Sequence, residues 1–141
     1  MMKLLSSWRQ LAAVSGIALL SACTAQAVHQ SQGNYAPTER SVRMMATNSG
    51  TVLATPDGRT LYTYDRDDHG RSNCYGECAD YWPPYLGNSA SQPYGRLTLV
   101  SRRDGQIQWA SGGMPLYTFV EDQSPGEVNG DDYHHDWHVA R

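Results

Sequence analysis

Short runs of alternating apolar and polar residues, separated by turn signals, make up the chain from Ser41 onward. The stretches 42–44 and 59–65 alternate with a period of two, and 51–54 is a further short apolar run. The segment Thr55-Pro56-Asp57-Gly58 between them is a turn signal, because proline presets φ and glycine tolerates positive φ. No segment keeps a helical spacing of apolar residues long enough to predict a helix. The pattern predicts an all-β domain of short strands in a meander.

The same pattern occurs twice, at a shift of 55 positions without a gap. The stretch 61–67 (LYTYDRD) returns as 116–122 (LYTFVED), and a tryptophan 15 residues further on returns as well. A fixed register predicts two equivalent repeats, 41–86 and 96–141, joined by a polar connector. Two such meanders are too few for a propeller. We therefore predict a small β-sandwich or flattened barrel with pseudo-two-fold symmetry.

Residues 1–22 have the pattern of an export signal. Lys3 and Arg9 flank the start of the apolar run 11–20, which is too short to span a bilayer as a permanent helix. Leu20-Ser21-Ala22-Cys23 follows and matches the bacterial lipobox, so we predict a lipoprotein signal peptide and an acylated Cys23 at the start of the mature protein. The alternative is an ordinary signal peptide that contains a cysteine.

A lipid anchor would place the domain in the cell envelope. Thr24 rather than Asp follows Cys23, which in a host with two membranes favours the outer membrane, facing the periplasm. Residues 23–40 lack apolar periodicity and predict a flexible tether that reaches on the order of 20 Å. Residues 41–141 are then the single β domain.

The charge of the chain limits its partners. The formal net charge is −3, and removal of residues 1–22 would also remove Lys3, the single lysine, together with Arg9. No cluster of basic residues indicates nucleic-acid binding. We expect membrane contact through the acyl chains on Cys23 and not through charge.

Two cysteines remain in the predicted mature domain. In an oxidising compartment Cys74 and Cys78 predict a disulfide that pins one turn. Their spacing is not that of a thiol-exchange or haem-attachment motif. The alternative is a zinc site, for which His69 is the one obvious further ligand before the first tryptophan of the repeats.

The repeated aromatic and acidic motif allows two interpretations. On a strand Tyr62 and Tyr64 point to the same face. In a structural role the aromatic side chains pack in the core or between repeats, and Asp67 caps a turn or accepts a tyrosine hydroxyl. In a binding role they form an aromatic platform for a sugar or another flat ligand. Recurrence at the same offset favours the structural role for Tyr62, Tyr64, Asp67, Tyr117, Phe119, Asp122, Trp82 and Trp137.

Two polar loops contain potential metal ligands. The loop that begins Asp65-x-Asp67 starts like a calcium site, but Gly76 occupies the position that needs a bidentate glutamate, so a solvated loop is the simpler interpretation. The densest ligand set lies at 131–138, where His134, Asp136 and His138 would share one face of a strand. Imidazole ligands suit copper or zinc. The candidate metal ligands are His134, His135 and His138.

The paired motif Tyr-x-aromatic-x-x-Asp, in a chain with a lipobox, resembles the predicted bacterial lipoproteins with the Yx(FWY)xxD motif, also called the secreted repeat family of unknown function. Further similarities are Gly58-Arg59-Thr60-Leu61-Tyr62, the paired cysteines before Trp82-Pro83-Pro84, and Trp137-His138-Val139-Ala140. The resemblance covers roughly residues 41–141. It implies a secreted repeat domain and supplies no activity, and His134-His135 is not part of the family pattern.

No catalytic signature accompanies these features. The chain lacks Gly-x-Ser-x-Gly, His-Glu-x-x-His and a phosphate-binding glycine loop. We therefore expect a non-catalytic, lipid-anchored binding or scaffolding module with no cofactor, whose partner is an unknown envelope protein or small ligand. The alternative is a copper- or zinc-binding or redox accessory lipoprotein of the periplasm. An envelope hydrolase with dispersed site residues is a third interpretation.

Overall fold

The computed structural model describes residues 40–141. The predicted signal peptide, Cys23 and nearly all of the predicted tether lie outside the described residues, so their boundaries stay predictions. The described chain contains mostly strands: β1 (Arg43–Thr47), β2 (Gly50–Ala54), β3 (Tyr62–Tyr64), α1 (Glu77–Tyr81), β4 (Leu97–Ser101), β5 (Ile107–Ser111), β6 (Met114–Pro115) and β7 (Trp137–Val139).

The all-β prediction is confirmed, with one addition. The helix α1 is five residues long and has no buried residue. No apolar spacing could have predicted it, because a single turn with a solvated surface leaves no periodic signal. The helix begins at the end of the predicted disulfide loop and includes Cys78, so it is attached to that loop rather than being part of the strand framework.

The strands form three small antiparallel sheets. In the second repeat β4, β5 and β6 are a meander, as predicted. In the first repeat β1 and β2 form a hairpin, but β3 pairs in the ladder with β7, the last strand of the other repeat. The two repeats are therefore joined by backbone hydrogen bonds and not only by packed side chains.

The segment that ends each repeat inserts into the other repeat. Ala140 of the second repeat bonds to both Leu53 and Leu61 of the first, which are also bonded to each other. The Leu53 N–H donates to the Ala140 carbonyl at 2.8 Å, and the Ala140 N–H donates to the Leu61 carbonyl at 2.8 Å.

Tyr85, the counterpart of Ala140, makes the same connections in reverse. Its carbonyl accepts the Trp109 N–H at 2.9 Å, and its N–H donates to the Leu116 carbonyl at 2.8 Å. Tyr62 and Tyr117, which are equivalent, pair with each other through two backbone hydrogen bonds of 2.9 and 3.0 Å. This exchange gives the domain its pseudo-two-fold symmetry.

Alternate residues of the strands feed two separate core layers. We call them the aromatic layer and the aliphatic layer. Neighbours in sequence divide between them, as Leu61 and Tyr62 do, because successive strand residues point to opposite faces. The aromatic layer contains Val52, Tyr62, Cys74, Trp82, Tyr117, Phe119, Trp137 and Val139. The aliphatic layer contains Val42, Leu53, Leu61, Leu97, Trp109, Leu116 and Ala140.

A stack of four rings forms the centre of the aromatic layer. The equivalent indoles of Trp82 and Trp137 lie face to face, with ring centroids 3.8 Å apart and planes at 4°. Phe119 stacks on the outer face of Trp82 at 4.2 Å, and Tyr64 stacks on the outer face of Trp137 at 4.2 Å. The third residue of each motif therefore packs on the tryptophan of the other repeat.

We predict that Trp137→Ala lowers the free energy of unfolding by about 3–5 kcal/mol, because it removes a buried indole and leaves two stacked rings without a partner. Trp82→Ala should behave in the same way, since the two positions are equivalent. Urea unfolding followed by far-UV circular dichroism measures both.

Tyr81→Ala is the matched control. Tyr81 is 51% exposed, so its removal should change the free energy of unfolding by no more than about 0.5 kcal/mol. Equal losses for Tyr81 and Trp137 would contradict the assignment of the stack to the core.

Candidate functional site

The tyrosine of each motif donates a hydrogen bond to the aspartate of the other motif. The Tyr62 hydroxyl lies 2.6 Å from Asp122 Oδ2, and the Tyr117 hydroxyl lies 2.7 Å from Asp67 Oδ2. All four side chains are buried. The two bonds are related by the pseudo-two-fold axis and connect the repeats in opposite directions.

The second oxygen of each aspartate holds the loop of its own repeat. Asp67 Oδ1 accepts the backbone N–H of Asn73 at 2.7 Å, and Asp122 Oδ1 accepts the backbone N–H of Asn129 at 2.9 Å. The two roles considered for the aspartate, a turn cap and a tyrosine acceptor, are thus filled at the same time. The structure places the buried motif residues in the framework, where they pack and pair between the repeats.

Burial perturbs the titration of these pairs. It raises the pKa of Tyr62 and Tyr117 above the ordinary range, and the hydrogen-bonded carboxylates raise the pKa further. Burial also raises the pKa of Asp67 and Asp122, against the hydrogen bonds that they accept. Both hydroxyls therefore stay protonated and act as donors over the ordinary pH range.

A buried arginine completes the pair formed by Tyr117 and Asp67. The Arg102 side chain is 1% exposed and donates to Ser72 Oγ at 2.8 Å, to Gln108 Oε1 at 2.6 Å and to the Cys74 carbonyl at 2.9 Å. Ser72 Oγ in turn lies 2.8 Å from the Tyr117 hydroxyl. Sequence reasoning missed Arg102, because an arginine at a turn gives no sign that the fold will bury it.

The predicted disulfide is confirmed. Cys74 and Cys78 are bonded, with their Cα atoms 5.3 Å apart. Because both sulfurs are in the disulfide, neither can bind zinc, and the alternative zinc site with His69 is wrong. Cys74 is buried in the aromatic layer while Cys78 lies at its edge, so the bridge attaches α1 to the core.

The histidines of the second loop do not come together. His135 Nδ1 lies 3.1 Å from Asp132 Oδ1, and His138 Nε2 lies 3.2 Å from Asp65 Oδ2. The expectation that His134, Asp136 and His138 share a strand face is wrong, because β7 begins only at Trp137. Within residues 40–141 no group of three His, Cys, Asp or Glu side chains could hold a metal ion.

The loop before β7 has an unusual backbone. Asp132, His134 and His135 have positive φ values of 59°, 53° and 59°, a region that non-glycine residues seldom occupy. Hydrogen bonds hold the loop in place, among them the Val139 N–H to Asp131 Oδ1 at 3.0 Å. The close approach of this loop to the aromatic layer requires glycine at position 130, since a Cβ there would lie 2.6 Å from the Trp82 ring.

A cleft of about 470 Å³ lies between this loop and the disulfide loop. The exposed rings of Tyr81 and Tyr133 line it, at 51% and 39% exposure. The aromatic layer contributes its two stacked indoles, and the remaining lining is acidic apart from one cystine sulfur. The full lining is Glu77, Cys78, Tyr81, Trp82, Glu121, Tyr133 and Trp137. The cleft thus forms where the two repeats differ most.

These features define a class, the duplicated all-β domain in which two tandem repeats exchange their closing segments. Residues 44–85 and 98–141 match the family described as secreted repeat of unknown function. The chain belongs to this family, which confirms the resemblance seen in the sequence. No curated protein and no solved structure matches the chain.

Membership indicates an extracellular or cell-envelope location. Across the part of the chain that the structure describes, we find no helix with the length and apolar character needed to cross a bilayer.

We predict that Asp67 makes stability fall as pH rises. Its pKa is raised in the folded state, so the folded protein binds a proton more readily than the unfolded chain. That stabilisation is fully present below the unfolded pKa of about 3.9 and is lost as pH rises through the folded pKa. The unfolding free energy of the wild type minus that of Asp67→Asn should therefore decrease from acidic to neutral pH.

Asp68→Asn is the control with opposite sign. Arg71 lowers the pKa of Asp68, so the stabilisation by this carboxylate is present above its unfolded pKa and is lost as pH falls. Urea unfolding at several pH values measures all three proteins. Slopes of the same sign for the two variants would contradict the assignment.

Proposed function

We propose that this protein is a lipid-anchored cell-envelope lipoprotein whose domain is a non-catalytic binding module. The lipobox that ends at Cys23, the oxidised cysteine pair and membership in a secreted family support the location. In a host with two membranes, Thr24 after the acylated cysteine favours the outer membrane, with the domain facing the periplasm.

The observation that carries the binding role is the cleft between the two loops. The framework accounts for the motif residues, all of which pack or pair between repeats. It does not account for Tyr81, which is exposed, and it leaves Tyr133 39% exposed although this ring also packs against Trp82 and Phe119. The cleft volume of about 470 Å³ falls within the range of small-ligand sites.

The lining indicates the ligand chemistry. Glu77 and Glu121 contribute two carboxylates, and no lysine or arginine lines the cleft. Aromatic faces attract cations, and a carboxylate nearby strengthens that preference. We therefore assign the cleft to a ligand that presents an amino or guanidinium group.

The walls of the cleft are held before any ligand arrives. The disulfide fixes α1 on one side, and the positive-φ loop with its backbone hydrogen bonds forms the other. Preformed walls reduce the entropy lost on binding.

We predict that the cleft binds a glucosamine tetramer and not its fully N-acetylated form, which has the same rings without the charge. Binding should shift the indole N–H signals of Trp82 and Trp137 in two-dimensional NMR spectra, because both rings line the cleft. Tyr81→Ala and Glu77→Gln should each weaken binding by about tenfold, equivalent to about 1.4 kcal/mol.

Asp80→Asn is the matched control for Glu77→Gln. Asp80 lies on the same helix and does not line the cleft, so its neutralisation should leave binding unchanged. Equal binding of the charged and acetylated tetramers, or no indole shift with either, would contradict the proposed ligand class.

The anchor has its own test. Intact-mass analysis of the N-terminal peptide from membrane-extracted protein should show acyl chains on Cys23, and in a high-salt wash Cys23→Ser should release the protein from the membrane fraction. An unmodified N-terminus before or after residue 23 would contradict the lipid anchor.

A further inference from the structure

A second concave surface lies beside β1 and β4, on the side of the aliphatic layer. This groove has a volume of about 580 Å³ and an apolar floor. Met44, 59% exposed, stands at its edge. The floor consists of Val42, Leu53, Tyr94 and Leu97.

Four arginines surround this apolar floor. No aspartate or glutamate lines the groove, and the rim consists of Arg40, Arg43, Arg96 and Arg141. None of the four has a carboxylate within 4.0 Å among the described residues, where the arginine ion pairs belong to Arg66, Arg71 and Arg102. The groove is thus a positive patch on a chain whose net charge is negative, a clustering that the expectation of membrane contact through acyl chains alone did not include.

The guanidinium groups are positioned but not saturated. Arg43 Nε donates to the Thr55 carbonyl at 3.2 Å, and Arg141 donates to the Thr51 and Ser49 carbonyls at 3.0 and 2.8 Å. Arg40 lies over the Tyr94 ring at 5.8 Å. Since a guanidinium has five N–H donors, Arg40, Arg96 and Arg141 retain donors for an anion, whereas Arg43 Nη2 contacts Met45 Sδ at 3.9 Å.

We propose that this groove docks the domain on a leaflet that contains anionic phospholipid. Arginines would bind the phosphates while Met44 and the apolar floor meet the adjoining acyl carbons, the combination that holds peripheral domains on anionic membranes. The inference uses the proposed lipid anchor in one respect. The chain enters the domain at Arg40, a rim residue, so a tether from Cys23 would hold the groove close to the leaflet.

A second copy of the chain fits this groove poorly. In a two-fold dimer the same patch meets itself, so the four arginines of one copy would face the four arginines of the other. Like charges at an interface oppose association. Phosphates of a leaflet supply the opposite charge that the rim lacks.

Docking through the groove would leave the cleft free. The groove borders the aliphatic layer, while the cleft borders the aromatic layer. The two layers lie on opposite faces of the strands, because neighbouring residues such as Leu61 and Tyr62 divide between them. A domain that rests on the leaflet by its groove therefore presents the cleft away from the membrane.

The test uses the mature chain with Cys23→Ser, which carries no acyl group, and co-sedimentation with vesicles. We expect binding to phosphatidylcholine vesicles that contain phosphatidylglycerol, little binding to phosphatidylcholine alone, and release by added salt. Each arginine should contribute about fivefold to partitioning, so Arg40→Gln combined with Arg96→Gln should reduce it by about 25-fold. Neither side chain makes a hydrogen bond within residues 40–141, so the fold should persist, as near-UV circular dichroism would show.

Arg66→Gln combined with Arg71→Gln is the matched control, because it removes the same charge from exposed sites outside the groove. This variant should retain binding. Equal binding to neutral vesicles, no binding to anionic ones, or an equal loss in both double variants would overturn the proposal. A dimer that Met44→Asp dissociates, without vesicle binding, would also overturn it in favour of a second copy.

The outcome does not depend on the anchor or on the cleft. Cys23→Ser removes acylation from the measurement, so a failed anchor leaves the vesicle result valid. Loss of vesicle binding with unchanged binding of the glucosamine tetramer would identify the groove, and not the cleft, as the part of the account that fails.

Discussion

A buried hydroxyl has to meet a hydrogen-bond acceptor, and in this domain the acceptor for each motif tyrosine lies in the other repeat. Tyr62 donates to Asp122 and Tyr117 donates to Asp67, at 2.6 and 2.7 Å. Separating the repeats would leave two hydroxyls and two carboxylates without their partners, at a cost of about 1–3 kcal/mol for each buried group. The constraint explains why the motif occurs once per repeat and why both copies are needed.

The exchange of side chains has a counterpart in the exchange of backbone. Ala140 and Tyr85 each complete the strands of the opposite repeat, and Trp82 and Trp137 meet face to face between them. Each core layer therefore contains residues of both repeats, and neither repeat has a complete core by itself. With the framework satisfied in this way, the loops that differ between repeats are free to form the cleft, and the opposite face of the strands carries the arginine-rimmed groove.

The sequence predicted the framework well because its causes are local or periodic. Alternation and turn residues gave the strands, and the gapless shift between Tyr62 and Tyr117 gave the duplication. It could not show that β3 pairs with β7, because a strand that pairs within its own repeat and a strand that pairs with the other repeat have the same pattern of apolar and polar residues. The helix α1 left no periodic signal. The prediction that His134 lies on the same strand as His138 was wrong, because β7 begins at Trp137. The rim of the groove was invisible because Arg40 and Arg96 come together only in the fold.

A pair of double-mutant cycles tests the exchange most directly. The first combines Tyr62→Phe with Asp122→Asn, across the repeats, and the second combines Tyr62→Phe with Asp67→Asn, within one repeat. Urea unfolding should give a coupling energy of about 1–3 kcal/mol for the first cycle and no more than about 0.5 kcal/mol for the second. A larger coupling within the repeat than across the repeats would contradict the exchanged architecture.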